Sequence, residues 1–235
     1  MNSVIILAAG SGSRMNGRVA DKTLTEINNT PVFLYSIKAF IETNSFEDYV
    51  IVYRDEFQKS EMQAHLLNPP YINCTIRFIQ GGDSRQASVL QGLSICSNSD
   101  YVAIHDSARP LITSKCIANL VGAALKHGNA IPFAPIYDTI QQVQSDSPDS
   151  DLMNVNTIDR NTLRAIQTPQ IFSFDSIYKA YQKITLDGLT ISDDSSALSH
   201  IDMKLHLVEN SEPNPKITTK KDLDYILYLL NQNTT

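Results

Sequence analysis

Apolar, β-branched runs that stop at turn residues alternate with stretches of helical period, and this alternation constrains the chain more than any other feature. Val4–Ala8 reads as a buried strand because it is continuous and is stopped by Gly10. Pro31–Glu42 reads as a helix, with Val32, Leu34, Tyr35, Ile37 and Phe40 on one stripe and the proline at a tolerated first-turn position. Tyr49–Tyr53, Thr75–Ile79 and Tyr101–Ile104 read as further strands, with helices over Glu56–Leu67, Ser84–Ile95 and Ser114–Lys126 between and after them. This order predicts an α/β fold, a mostly parallel sheet with helices on both faces. Ligands of such sheets bind beyond the carboxyl ends of the strands. The loops Ala8–Arg18, Gln80–Arg85 and His105–Pro110 are therefore where chemistry is expected.

The pattern changes over residues 136–158. Alternating segments Thr139–Gln144 and Leu152–Ile158 flank a polar turn, Ser145–Asp151, which predicts a β-hairpin arm projecting from the main body. Beyond it come a strand over Gln170–Phe172, helices over Asp175–Leu186 and Asp193–Ser199, a strand over Leu205–Val208 and a closing helix from Lys220 to about Leu230. No internal repeat or linker interrupts the chain, so residues 1–235 are expected to form a single domain. With 19 basic against 25 acidic side chains, the net charge of −6 argues against a sequence-independent nucleic-acid binder. No apolar stretch near the start approaches the length of a membrane span, and no basic segment marks a signal peptide. Three widely spaced cysteines, Cys74, Cys96 and Cys116, read as reduced thiols of a cytoplasmic protein.

The first loop reads Ala8-Ala9-Gly10-Ser11-Gly12-Ser13-Arg14-Met15. A dinucleotide fingerprint needs a glycine where Met15 stands, and a P-loop needs Gly-Lys-Ser/Thr where the chain has Gly17-Arg18-Val19. What remains is a glycine turn whose N–H groups can face an anion, with Arg14 as a fixed charge and Lys22 beyond it. A plain strand-to-helix turn with a solvated arginine is the competing reading.

Leu7-Ala8-Ala9-Gly10-x-Gly12-x-Arg14-Met15 with Lys22 resembles the signature of nucleotidyltransferases acting on sugar or polyol phosphates. Later motifs are similar to those of 2-C-methyl-D-erythritol 4-phosphate cytidylyltransferases. They are Gly81-Gly82-Asp83-Ser84-Arg85-x-x-Ser88-Val89, His105-Asp106-Ser107-Ala108-Arg109-Pro110, Asp159-Arg160-Asn161, Gln167-Thr168-Pro169-Gln170, Ser192-Asp193-Asp194-Ser195-Ser196-Ala197-Leu198 and Lys216-Ile217-Thr218. The chain departs from the family in having Asp21-Lys22-Thr23 for Pro-Lys-Gln, and Asn214-Pro215-Lys216 for Asn-Ile-Lys.

The resemblance implies a Rossmann-like fold and transfer of CMP from CTP to a polyol phosphate with release of pyrophosphate. It implies catalytic roles for Arg14, Lys22, Arg160 and Lys216, and nucleotide binding by Ala8, Ala9, Gly10, Gly12, Gly81, Gly82, Asp83 and Ser88. It assigns the acceptor to Asp106, Arg109, Thr139 and Thr168, and Asp106 also stands as a ligand of Mg²⁺ or another divalent cation, directly or through water. It further implies a homodimer in which the 136–158 arm reaches the partner's site. The bland readings are a Ser84 helix cap, an Asp106–Arg109 ion pair, a structural His105 and a solvated Arg160. A ribitol 5-phosphate cytidylyltransferase and a non-catalytic nucleotide-binding relative are the rival functions. Location is expected to be bacterial cytosol, with a plastid enzyme lacking its transit peptide as the alternative.

Overall fold

The computed structural model describes residues 1–10, 21–144 and 154–232. Its centre is an eight-stranded sheet. β1 (Asn2–Leu7) is flanked by β4 (Asp48–Tyr53) and β6 (Tyr101–Asp106), and β5 (Thr75–Gln80) lies outside β4, all four parallel. The order β5-β4-β1-β6 means that the chain winds outward through β1, β4 and β5 and then crosses back over β1 to lay down β6. Connections that leave β1 and β6 therefore diverge, and the crevice between them is the switch point at which such sheets hold ligands.

The expected strands and helices are present with boundaries moved by a few residues. Val4, Ile6 and Ile51 face one side with Phe33, Ile37, Phe40, Ile117 and Leu120, from α1 (Val32–Glu42) and α4 (Ser114–His127). Ile5, Val50 and Val102 face the other side with Val89, Leu93, Ile177 and Tyr181, from α3 (Arg85–Ser94) and α5 (Phe174–Leu186). Both faces of the central strands are covered, which is why those strands read as continuous apolar runs and not as alternating ones. α2 (Glu56–His65) stops before Pro69-Pro70, as the prolines require. A small third cluster, in which Ile217 and Ile226 meet Ile27, Val32 and Ala108, seats α7 (Lys220–Gln232) beside the site.

The structure departs from the sequence reading in several places, short strands over Glu26–Ile27, Thr30–Pro31 and Ala165–Ile166 among them. Asp106 is the last residue of β6, not a loop residue. A strand not expected, β7 (Asn129–Ala134), follows α4 directly after Gly128, whose φ of 82° closes the helix. Pro132 reads as a strand breaker, yet β7 pairs with β11 (Gln170–Ser173), β10 (Ala165–Ile166) and β12 (Leu207–Glu209). β12 also begins two residues later than the Leu205–Val208 expected.

The short β2 (Glu26–Ile27) and β3 (Thr30–Pro31) form a separate ribbon. The arm is a separate two-stranded sheet of β8 (Ile140–Gln144) and β9 (Asn154–Ile158), registered from Ile140 opposite Ile158 to Gln144 opposite Asn154. The expected turn Ser145–Asp151, and Leu152, lie outside the described residues. No helix among the described residues is long and apolar enough to cross a membrane.

Candidate functional site: a cationic cleft at the switch point

A cleft of about 550 Å³ opens at the carboxyl ends of β1, β4 and β6, where the fold predicts it. Its floor is Leu7, Ala8, Ala9 and Gly10, held by the Ala8 N–H on Val52 O at 2.9 Å and by the Ser107 hydroxyl on Leu7 O at 2.8 Å. Gly12 and Arg14 lie outside the described residues.

One wall is the Gly81-Gly82 turn. A Cβ on Gly81 would stand 2.7 Å from both Ala9 Cβ and Ser88 Oγ, so only glycine lets this turn close against the β1 loop. Ser88 does not simply point outward: its Oγ accepts the Gly82 N–H at 3.2 Å and fixes the turn. Ser84 caps α3 by accepting the Ala87 N–H at 3.0 Å, as the bland reading has it, and it also lines the cleft. Asp83 is exposed on the same rim.

The same cleft is lined by charges. Asp106 Oδ2 accepts from Lys216 Nζ at 2.6 Å, and Oδ1 lies 3.4 Å from Arg85 Nε. Arg85 in turn grips Asp194 with two hydrogen bonds, 2.8 and 2.7 Å, and the Tyr181 hydroxyl donates to the same Asp194 at 2.5 Å. Asp194 is fully buried, at the start of α6 (Asp194–Ser199). Burial alone would push the Asp106 carboxyl up, but the Arg85 and Lys216 charges overcome it and hold it well below the usual carboxylate range. Burial works against the Arg85 cation too, and Asp194 outweighs it, raising that group above its ordinary value. The result is a chain of alternating charge, Asp194–Arg85–Asp106–Lys216, running from the core to the cleft.

Two expected site residues, Thr168 and Arg109, lie behind this charged lining together with His105, which the sequence reads as structural. His105 is fully buried between Ser36 Oγ (3.1 Å) and Thr168 Oγ1 (3.2 Å), and burial lowers it to about 3, so it is a neutral structural residue. Thr168 is buried and accepts the Asp106 N–H at 3.1 Å, which makes it a support for Asp106 and not a lining residue. Arg109, expected at the acceptor, does not form the ion pair with Asp106 that was its alternative reading. Its Nη1 donates to Asn214 O at 2.7 Å, its Nε is buried without a hydrogen-bond partner, and burial lowers it. Lys22 lines the cleft beside Gly10: a Cβ on Gly10 would be 3.9 Å from its Cε and Nζ.

Thr139 and Arg160 are not on the cleft walls. Both are exposed at the base of the arm, where the Arg160 guanidinium donates to Tyr137 O. Sequence reasoning missed Arg54, Arg85, Asp194 and Gln58 as site-building residues. Arg85 and Asp194 sit inside the two glycine- and aspartate-rich motifs quoted for the resemblance, which was the available signal; Arg54 and Gln58 carry none.

Among the described residues no three His, Cys, Asp or Glu side chains converge as metal ligands. Asp106 is the buried carboxylate on the cleft wall, and both of its oxygens face cations. That donor set fits a magnesium ion carried in on phosphate oxygens and water, not a cage built by the protein.

The model of the family 2-C-methyl-D-erythritol 4-phosphate cytidylyltransferase matches residues 2–232. A protein of that name from Caldanaerobacter subterraneus subsp. tengcongensis is 37% identical over 94% of this chain and 95% of its own. Another from Bacillus cytotoxicus is 34% identical over 95% of each. The crystal structure of 4-diphosphocytidyl-2C-methyl-D-erythritol synthase from Anaerococcus prevotii superimposes with a TM-score of 0.83 at 25% identity, covering 98% of both chains. Motifs, cleft and full-length likeness agree: the chain belongs to the 2-C-methyl-D-erythritol 4-phosphate cytidylyltransferase family.

Proposed function

We propose that this chain transfers CMP from CTP to 2-C-methyl-D-erythritol 4-phosphate, yielding 4-diphosphocytidyl-2-C-methyl-D-erythritol and pyrophosphate in isoprenoid precursor synthesis. Full-length family membership carries the reading, and the glycine-floored, cation-walled cleft supplies the chemistry it needs. An oxygen of the acceptor phosphate attacks the α-phosphorus of CTP; a new P–O bond forms and the bond to the β-phosphate bridging oxygen breaks. The nucleophile is already an anion, so no general base is required, which accords with a neutral, buried His105. The task left to the protein is to bring two anions together and to stabilise charge building between them.

Lys22 and Arg14 are assigned to the triphosphate, and Lys216, oriented by Asp106, to the acceptor phosphate. The Gly81–Ser88 turn is assigned to the cytosine, where close backbone approach suits a planar base. Magnesium, when bound, neutralises phosphate charge, with Asp106 as the residue that holds it directly or through water. Thr139 and Arg160 are exposed and outside the cleft, on a two-stranded arm too small to be stable by its own core. We assign them to the acceptor site of a partner subunit in a homodimer. The three free cysteines support a reducing, cytosolic setting.

Pyrophosphate release tests the function. With CTP it is expected for 2-C-methyl-D-erythritol 4-phosphate and not for ribitol 5-phosphate. UTP is expected to be slower by roughly 10⁴-fold, because its position-4 group has the opposite hydrogen-bonding polarity. Release with ribitol 5-phosphate alone identifies the rival acceptor, and release with neither identifies a non-catalytic relative.

A further inference from the structure

The residues on either side of Lys22 are fastened to the body of the protein by a buried polar network centred on Asp21. The Asp21 carboxylate is 6% exposed. Its Oδ1 accepts from both the N–H and the hydroxyl of Thr23, at 2.8 and 2.6 Å. Its Oδ2 accepts from Gln58 Nε2 at 2.6 Å and lies 3.1 Å from Arg54 Nη1. The Asp21 carbonyl accepts the Thr25 N–H at 3.0 Å and the Thr25 hydroxyl at 2.9 Å, which closes the turn around the lysine.

Gln58 joins this turn to the nucleotide loop. It is fully buried on α2, accepts the Arg54 N–H at 2.7 Å, and donates to Thr23 Oγ1 at 3.2 Å and to Ala8 O at 3.1 Å. The end of β1, the Lys22 turn and the β4–α2 connection are thus tied to one amide and one carboxylate. A flexible lysine placed by a fixed backbone reaches a restricted volume, and displacement of a catalytic group by about 1 Å can cost roughly 10² in rate.

We propose that Asp21 is a positioning residue for Lys22, fixing through Thr23, Gln58 and Arg54 the backbone from which the lysine reaches the triphosphate. This rests on the assignment of Lys22 made above. Asp21→Asn is the informative change, because it keeps the Oδ1 contacts to Thr23 while turning the acceptor that faces Gln58 and Arg54 into a donor facing donors.

The test is steady-state kinetics of Asp21→Asn, Lys22→Ala and the double variant, with thermal unfolding of each. Asp21→Asn is expected to lower kcat by between about 10- and 100-fold, with the acceptor KM unchanged within about twofold. The double variant is expected to have the kcat of Lys22→Ala, because positioning has no effect once the positioned group is gone. Thr23→Val, which removes the hydroxyl contacts to Asp21 and Gln58, serves if Asp21→Asn does not fold, and is expected to be silent in the Lys22→Ala background. Multiplicative losses in the double variant would show a general structural role and overturn the proposal, as would wild-type kcat in Asp21→Asn. Wild-type kcat in Lys22→Ala would overturn the assignment of the lysine itself, and the proposal with it.

Discussion

Around the cleft, charges are anchored from behind, whereas on the arm they are not. Asp106 is met by Lys216, Arg85 and Thr168, and Arg85 by a fully buried Asp194 that also receives Tyr181. Arg160, by contrast, is exposed, and among the described residues its guanidinium donates to the carbonyl of Tyr137, a residue 79% exposed itself. Val143 and Val155, opposite one another in the arm, are 50% and 44% exposed. The cleft is preorganised within one chain, as stabilisation of transition-state charge demands. The arm presents an exposed apolar pair and an exposed arginine, and the homodimer proposed above would set both against a partner subunit.

The sharpest way to break this contrast is to cut the anchor. Asp194→Asn removes the two-hydrogen-bond counter-charge of Arg85 and leaves it the longer 3.4 Å contact to Asp106, and loss of one partner of a buried pair typically costs about 3–5 kcal/mol. A loss of that size is expected in urea unfolding. If stability falls by less than about 1 kcal/mol, as for an exposed pair, the cleft wall is no better anchored than the arm.

A smaller effect is expected at Arg160. Arg160→Ala is expected to raise the acceptor KM by between about 10- and 100-fold, the loss of one charged hydrogen bond, with CTP binding nearly unchanged. When the slow Lys22→Ala chains are mixed equally with Arg160→Ala chains and assayed at acceptor concentrations below the raised KM, up to about one quarter of sites should recover in a symmetric dimer. This follows because half the dimers are mixed and one site in each is complete. No recovery after verified subunit exchange would return Arg160 to its own chain.

The smallest effect on folding is expected for Val143→Ser with Val155→Ser. Substitution at exposed positions should change protomer unfolding by less than about 0.5 kcal/mol. Sedimentation should nevertheless move toward monomer. A stable dimer after this change would place the interface elsewhere.

Much of the fold was legible because period and punctuation are local properties. The continuous runs at β1, β4 and β6 announce strands buried on both faces, and Ser84 caps the helix that follows it, as its place before that helix suggests. β7 was not legible, because Pro132 breaks its pattern and the strand exists only through partners on both of its sides. The site divides the same way. Gly81 and Gly82 announce close approach, and Lys22, Asp106 and Lys216 stand in recognisable motifs. Asp21 beside Lys22 reads as an awkward negative charge in the sequence alone; in the fold its carboxylate is occupied by Thr23, Gln58 and Arg54.

What the chain determines by itself is therefore the β-α alternation, the loops that carry glycines and charges, and the reaction family those motifs belong to. Tertiary structure alone decides which charge answers which. Asp106 and Arg109 are neighbours in sequence, yet Asp106 pairs with Lys216 and Arg85 while Arg109 turns to the carbonyl of Asn214. Sequence proximity sets only where a backbone runs; the partner of a buried charge is chosen by the elements that pack over it, since desolvation makes an unpaired charge too costly to leave.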